Sequence, residues 1–197
     1  IKSLNDKNSR KHFRWLLFNN FVEGDYLVSL TFDNEHIQKS IPERKREFTN
    51  YIKCLRRLYV KNGLELRYLY VIEGVNDEAR FHYHLVINSG NGKVTRDEVE
   101  RLWKCGEHTN SKRLQLDSDG TFTSLAVYLM KSKDTKKKWE RSWNGSHNLK
   151  RPEITTDDNK VSRKTMQKIQ DAARNDEVRV IMSKVYPKFK VIDLSLI

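Results

Sequence analysis

The sequence predicts an α+β fold, an antiparallel central sheet with flanking helices, and three observations predict it. Over residues 26–32, Tyr-Leu-Val-Ser-Leu-Thr-Phe, side chains alternate between two faces with the period of a strand. Residues 67–73 and 80–88 are both rich in aromatic and β-branched side chains, and a short polar loop joins them, so they pair as an antiparallel hairpin. Segments of helical spacing stand before and after that hairpin. The resulting order is strand, helix, strand, strand, helix, strand.

Each element has a local reason. In the first strand Tyr26, Val28, Leu30 and Phe32 point one way and Leu27, Ser29 and Thr31 the other. Ser40-Ile-Pro-Glu43 has capping-box spacing with Pro in the first turn, and Ile41, Phe48, Ile52, Leu55 and Tyr59 follow at helical intervals. A helix over about 41–60 ends at Asn62-Gly63, a left-handed stop. After the hairpin, a second helix is predicted over 95–103 and a short strand over 113–117, closed by the turn Ser118-Asp119-Gly120. A third helix over 121–133 carries Phe122, Leu125, Ala126 and Leu129 as an apolar stripe that can pack on a sheet. Residues 131–160 turn polar and basic and read as extended or loop-like. Residues 162–175 suit a basic amphipathic helix and 178–197 late strands. The order strand, helix, strand, strand, helix, strand is that of a split β-α-β sheet of ferredoxin-like or RNA-recognition-motif-like (RRM-like) topology. Many functions share it.

Composition narrows the class. The length of 197 residues fits one domain, with a motif core at about 26–133 and a basic extension at 134–197 that completes the domain or contacts DNA. With 37% hydrophobic and 32% charged residues the core is modest, yet eight Tyr, eight Phe and four Trp are too many aromatics for a disordered polyelectrolyte. A net charge of +12 directs attention to polyanions, nucleic acid first and an anionic membrane surface second. Two cysteines, Cys54 and Cys105, exclude a disulfide framework and favour a reducing compartment. No apolar run is long enough to span a bilayer, and the polar start lacks the apolar stretch of a signal peptide, so the expected location is cytoplasmic.

The most informative residues are His82 and His84. Two apart on a strand, they project from one surface while Phe81, Tyr83, Leu85 and Ile87 serve the other. If Glu73 lies opposite His82, its carboxylate joins them, and two imidazoles plus a carboxylate suit a divalent ion acting as Lewis acid. The competing reading takes the histidines as ordinary polar residues of an amphipathic strand. Downstream, Tyr128 and Lys131 are helical neighbours with Ser124 one turn earlier. A phenol can attack a phosphodiester where a cation favours phenolate, a task open to Lys131; alternatively the two are a boundary aromatic and a solvated lysine. Lys136, Lys137, Lys138, Trp139, Arg141 and Trp143 interleave cations with indoles, the combination that tracks a single-stranded backbone and stacks on its bases. The indoles could equally pack back on the core. Cys105 and His108 have zinc-like spacing, but no second ligand pair stands nearby.

Taken in order, Ser29-Leu-Thr-Phe32, Phe81-His-Tyr-His-Leu85 and Val127-Tyr-Leu-Met-Lys131 resemble the three motifs of HUH endonucleases, in particular the single-tyrosine rolling-circle replication initiators of phages and plasmids. Ser146-His-Asn-Leu-Lys-Arg-Pro152 resembles a stretch that follows the tyrosine motif in some phage-type initiators. The resemblance implies Mg or Mn at His82, His84 and Glu73, and a covalent 5′-phosphotyrosine at Tyr128 with Lys131 beside it. It also implies single-stranded DNA at a replication origin as partner, in the cytoplasm of a bacterial host. Tyr83 departs from the usual aliphatic residue between the histidines, and Ser124 stands where paired-tyrosine initiators carry a second nucleophile. Gly90-Asn-Gly-Lys-Val94 lacks the residues of a phosphate-binding loop, so a host helicase and polymerase are expected as partners. A relaxase or single-tyrosine transposase shares the chemistry. An RRM-like nucleic-acid-binding module without catalysis is the rival from another class.

Overall fold

The computed structural model describes residues 2–74, 81–106, 109–131, 143–151, 179–182 and 190–193. The chain forms two compact units, Ile1–Pro152 and Glu153–Ile197. In the first, the elements run α1 (Lys2–Asn20), β1 (Tyr26–Thr31), a 3-10 turn (His36–Gln38), α2 (Ile41–Lys61), β2 (Tyr68–Glu73), β3 (His82–Ile87), α3 (Arg96–Arg101), β4 (Thr109–Arg113), α4 (Thr123–Leu129) and β5 (Asn144–Gly145). In the second, β6 (Arg179–Met182) and β7 (Lys190–Asp193) pair antiparallel in a sheet of their own. The helix expected over 162–175 lies outside the described residues.

The α+β class holds. Five strands pair antiparallel in the order β4-β1-β3-β2-β5, and each helical crossover, β1-α2-β2 and β3-α3-β4, joins two strands with one strand inserted between them. Both central strands therefore carry neighbours on each side. The sheet separates two apolar layers. On one face, Val28, Leu30, Tyr83, Leu85 and Ile87 pack with Phe48, Ile52, Leu55 and Tyr59 of α2 and with Val99 of α3. On the other, Leu69, Val71 and Val86 pack with Phe13, Leu16 and Leu17 of α1 and with Ala126 and Leu129 of α4.

The local signals explain most of these elements. Ser40 N–H donates to Glu43 Oε2 at 2.8 Å, closing the capping box that starts α2. Thr95 and Glu98 make the same box at α3. Gly106 follows α3 where the chain crosses the end of β1, and a Cβ there would overlap the carbonyl of Thr31, which also accepts the Trp103 indole N–H at 2.7 Å.

Three expectations need correction. No helix is expected before Tyr26, yet α1 is there; its apolar residues Phe13, Leu16, Leu17 and Phe21 occupy only its second half, so the polar first turns conceal the period. The fourth strand is Thr109–Arg113, not 113–117. Leu114 and Leu116 imitate strand alternation, whereas Thr-Asn-Ser-Lys-Arg is a polar edge strand held by its backbone pairing to β1. Helix α4 ends at Leu129 rather than running to 133, which leaves Lys131 beyond its last turn. Among the described residues, no helix is long and apolar enough to cross a membrane.

Candidate active site

Antiparallel register builds the site. Glu73 of β2 lies opposite His82 of β3, and Val71 opposite His84. On the other flank, Thr31 of β1 lies opposite His82 and Ser29 opposite His84. Opposed residues share a face, so Glu73, His82, His84 and Ser29 all look toward the layer of α1 and α4. The register that the sequence reading requires is the one formed.

Within this group, Glu73 Oε2 stands 3.1 Å from His82 Nε2 and 3.5 Å from His84 Nε2, and the two imidazole rings meet edge to face at 4.8 Å. Hydrogen bonding from His82 first, and then from His84, holds the Glu73 carboxyl far below the ordinary carboxylate range against the opposing effect of burial. The carboxylate is ionised. His84 is 5% exposed, and its Nδ1 lies 3.1 Å from Ser29 Oγ. In the tautomer that puts the proton on Nδ1, Nδ1–H donates to Ser29 and Nε2 keeps its lone pair toward Glu73.

One ligand atom from each of Glu73, His82 and His84 can be chosen so that all lie within 4.8 Å of one another, a group that could hold a metal ion. Buried His84 Nε2 gives the fit its specific support: it is beyond good hydrogen-bonding length from Glu73, and among the described residues nothing else meets it. A buried nitrogen with that much unused acceptor capacity matches a cation better than it matches a closed hydrogen-bond network. Two nitrogens and a carboxylate leave coordination positions open for another ligand.

Behind the histidines, Tyr83 faces the opposite layer. Its buried ring stacks on Phe48 of α2 with centroids 4.0 Å apart and planes 4° apart. The aromatic between the histidines thus clamps β3 to α2. In front of them, α4 packs through Phe122, Ala126, Leu129 and Met130 and sets Tyr128 on the flank nearest the sheet face. The Tyr128 ring lies 5.6 Å from the His84 ring, and the residue is 53% exposed. Its phenol is accessible and on the metal-binding side.

The structure brings together Glu73, His82, His84 and Tyr128. Lys131 is exposed just past α4, its backbone N–H donating to the Tyr128 carbonyl at 3.2 Å. Trp143 packs against α1, with Nε1–H donating to Ser9 Oγ at 3.1 Å and its ring beside those of His12 and Phe13. Lys136, Lys137, Lys138, Trp139, Arg141 and His108 lie outside the described residues. The sequence assigns Ser29 no role of its own; its strand phase, shared with Leu27 and Thr31, becomes informative only once β1 is paired with β3.

The family model for replication-associated proteins of the ORF2 type matches residues 25–174. The chain belongs to this family. No curated protein and no solved structure gives a significant match. In this replication-associated protein the matched range contains all of the Glu73–His82–His84 group and Tyr128, while α1 precedes it. Membership agrees with the resemblance to replication initiators drawn from the three motifs.

Proposed function

We propose that this protein is a metal-dependent, site-specific single-stranded DNA endonuclease and strand transferase that initiates rolling-circle replication. One observation carries the reading: an accessible tyrosine on α4 contacts the buried histidine of a two-histidine, one-carboxylate group. Glu73, His82 and His84 would hold Mg or Mn, and the bound ion supplies charge withdrawal from a phosphate.

The chain's own residues do the rest. Ser29 fixes the orientation of the His84 ring, and the Phe48–Tyr83 stack fixes the strand that carries both histidines. Tyr128 Oη attacks phosphorus; the new bond is Oη–P, the broken bond is P–O3′, and the departing 3′ oxygen takes up a proton. The products are a 5′-phosphotyrosine and a 3′ hydroxyl able to prime synthesis. Because one phosphate ester replaces another, a later hydroxyl can reverse the transfer and close a circle. Lys131 is assigned the cationic role beside the phenolate, with unwinding and synthesis supplied by a host helicase and polymerase in the bacterial cytoplasm.

The test is incubation with labelled origin-bearing single strands and Mn, followed by a denaturing gel. The parent protein should give a label that stays attached, and Tyr128→Phe should give none while still retarding the strand under native conditions. Attachment retained by Tyr128→Phe defeats the assignment.

A further inference from the structure

A second feature lies on the α1 side of the sheet, at the β5 edge. A cavity of about 390 Å³ opens between α1, which contributes Ser9, His12 and Leu16, and the segment 143–151. The segment is tied down along its length. Asn144 and Gly145 pair with Tyr70 and Leu69; Ser146 N–H donates to the Tyr68 carbonyl at 2.9 Å, and Tyr68 N–H to Ser146 Oγ at 3.1 Å. Further along, Lys150 N–H donates to Asn20 Oδ1 at 2.7 Å, and Asn20 Nδ2 donates back to the Lys150 carbonyl at 2.8 Å. Gly145 is needed for this closeness, because a Cβ there would come within 2.8 Å of the Tyr68 carbonyl oxygen and of Leu69 and Leu149. These ties hold the cavity wall in place before any ligand arrives.

The lining is two-sided in chemistry. Leu16, Leu149 and the Trp143 indole give it an apolar part, while exposed His12, His147 and Arg151 bring N–H donors, and no carboxylate lines it. A flat apolar base carrying an anionic phosphate matches both parts, and the volume falls in the lower range of small-ligand clefts. The same face holds the metal-binding group: Glu73 is three residues along β2 from Tyr70, the partner of Asn144, which is roughly 10 Å at the rise of a strand.

We infer that this cavity receives one unstacked nucleotide of the DNA strand, its base within and its phosphate at Arg151, and so anchors the strand a short distance from the metal-binding group. The inference rests on the proposed action on single-stranded DNA. It adds a binding site that none of the sequence motifs assigns.

The experiment uses the full chain in EDTA, which prevents cleavage, with single strands carrying 2-aminopurine at one position at a time. The parent should raise the emission of one position, marking an unstacked base, and His12→Trp, which fills an exposed side of the cavity, should abolish that rise. The double variant His147→Ala/Arg151→Ala should bind the strand about tenfold more weakly, with the slope of log affinity on log salt smaller by about one. Mn binding, read separately by calorimetry, should stay at the parent value in both variants. Variants that bind the strand within about twofold of the parent and keep the emission rise overturn the site alone. Inorganic phosphate that displaces the strand as well as deoxyadenosine monophosphate does overturns the base component. A parent that binds no single strand overturns the DNA reading, and the site with it.

Discussion

The Tyr128 ring meets the His84 ring at 5.6 Å between centroids, inclined by 64°, so the proposed nucleophile and a proposed metal ligand form one packed unit. Tyr128→Phe keeps that ring contact and removes an oxygen on a half-exposed side chain. Stability should therefore change by no more than about 0.5 kcal/mol, while covalent attachment of DNA disappears. Thermal melting and the denaturing gel, run on the same preparation, separate the two effects. A large drop in melting temperature would mean that the hydroxyl has a structural partner, and loss of attachment would then say little about chemistry.

Ser29 orients His84 from the neighbouring strand at 3.1 Å. Removing such a partner typically weakens metal binding about 10- to 100-fold without unfolding the protein. Ser29→Ala should show that loss in a Mn titration, and Ser29→Thr, which keeps a hydroxyl, should recover most of it. Equal affinities for parent and Ser29→Ala would leave His84 oriented by packing alone.

Glu73, His82 and His84 were legible from sequence because strand period fixes which residues share a face, and because a hairpin with a short connection restricts the register. Tyr128 was legible because Phe122, Ala126 and Leu129 define the buried stripe of its helix and place it on the flank. What escaped had no local signature. Helix α1 puts its apolar residues in one half only, and β4 is held by backbone bonds that its polar side chains do not advertise. The contact of Ser29 with His84 spans 55 positions in the chain and depends on a pairing between strands that are not consecutive. Trp143 shows the limit of composition: cations interleaved with indoles suggest stacking on bases, and the indole N–H is bonded to Ser9 of a helix that the pattern does not reveal.

Phe48 lies against Tyr83 in nearly parallel planes and also meets Tyr70 at 4.6 Å. Phe48→Ala opens a cavity on the layer behind the histidines and should cost about 3 to 5 kcal/mol in denaturant unfolding. Since β3 also loses its clamp, Mn affinity should fall in protein that is still folded. Phe48→Leu retains most of the volume and should cost less on both measures. A destabilised Phe48→Ala with unchanged Mn affinity would show that β-sheet pairing alone suffices to hold the histidines.

Burial, reinforced by the nearby Glu47 carboxylate, pushes the Cys105 thiol up to about 11. At pH 8 only about a thousandth of it is thiolate, the form that reacts. Cys54, on α2, is partly exposed whereas Cys105 is buried. Limited treatment of the native protein with iodoacetamide should therefore label Cys54 first, and Cys105 should follow only on unfolding, as peptide mass mapping would show. Rapid labelling of Cys105 in native protein would contradict its burial beneath the end of β1.

Acid should act on the metal-binding group through Glu73. Its folded-state pKa lies below the ordinary value of 4.5 because the two histidines favour the carboxylate. A depressed acid contributes stability that is complete above the unfolded-state value and is lost as pH falls through the folded-state value. In EDTA, the stability difference between parent and Glu73→Gln should hold steady from pH 7 to about 5 and shrink below about 4.5, where the unfolded chain takes up the proton first. Urea unfolding at a series of pH values measures that difference directly. A difference that grows on acidification reverses the sign and would mean that Glu73 is held in its protonated form, a state that could not serve a cation at neutral pH.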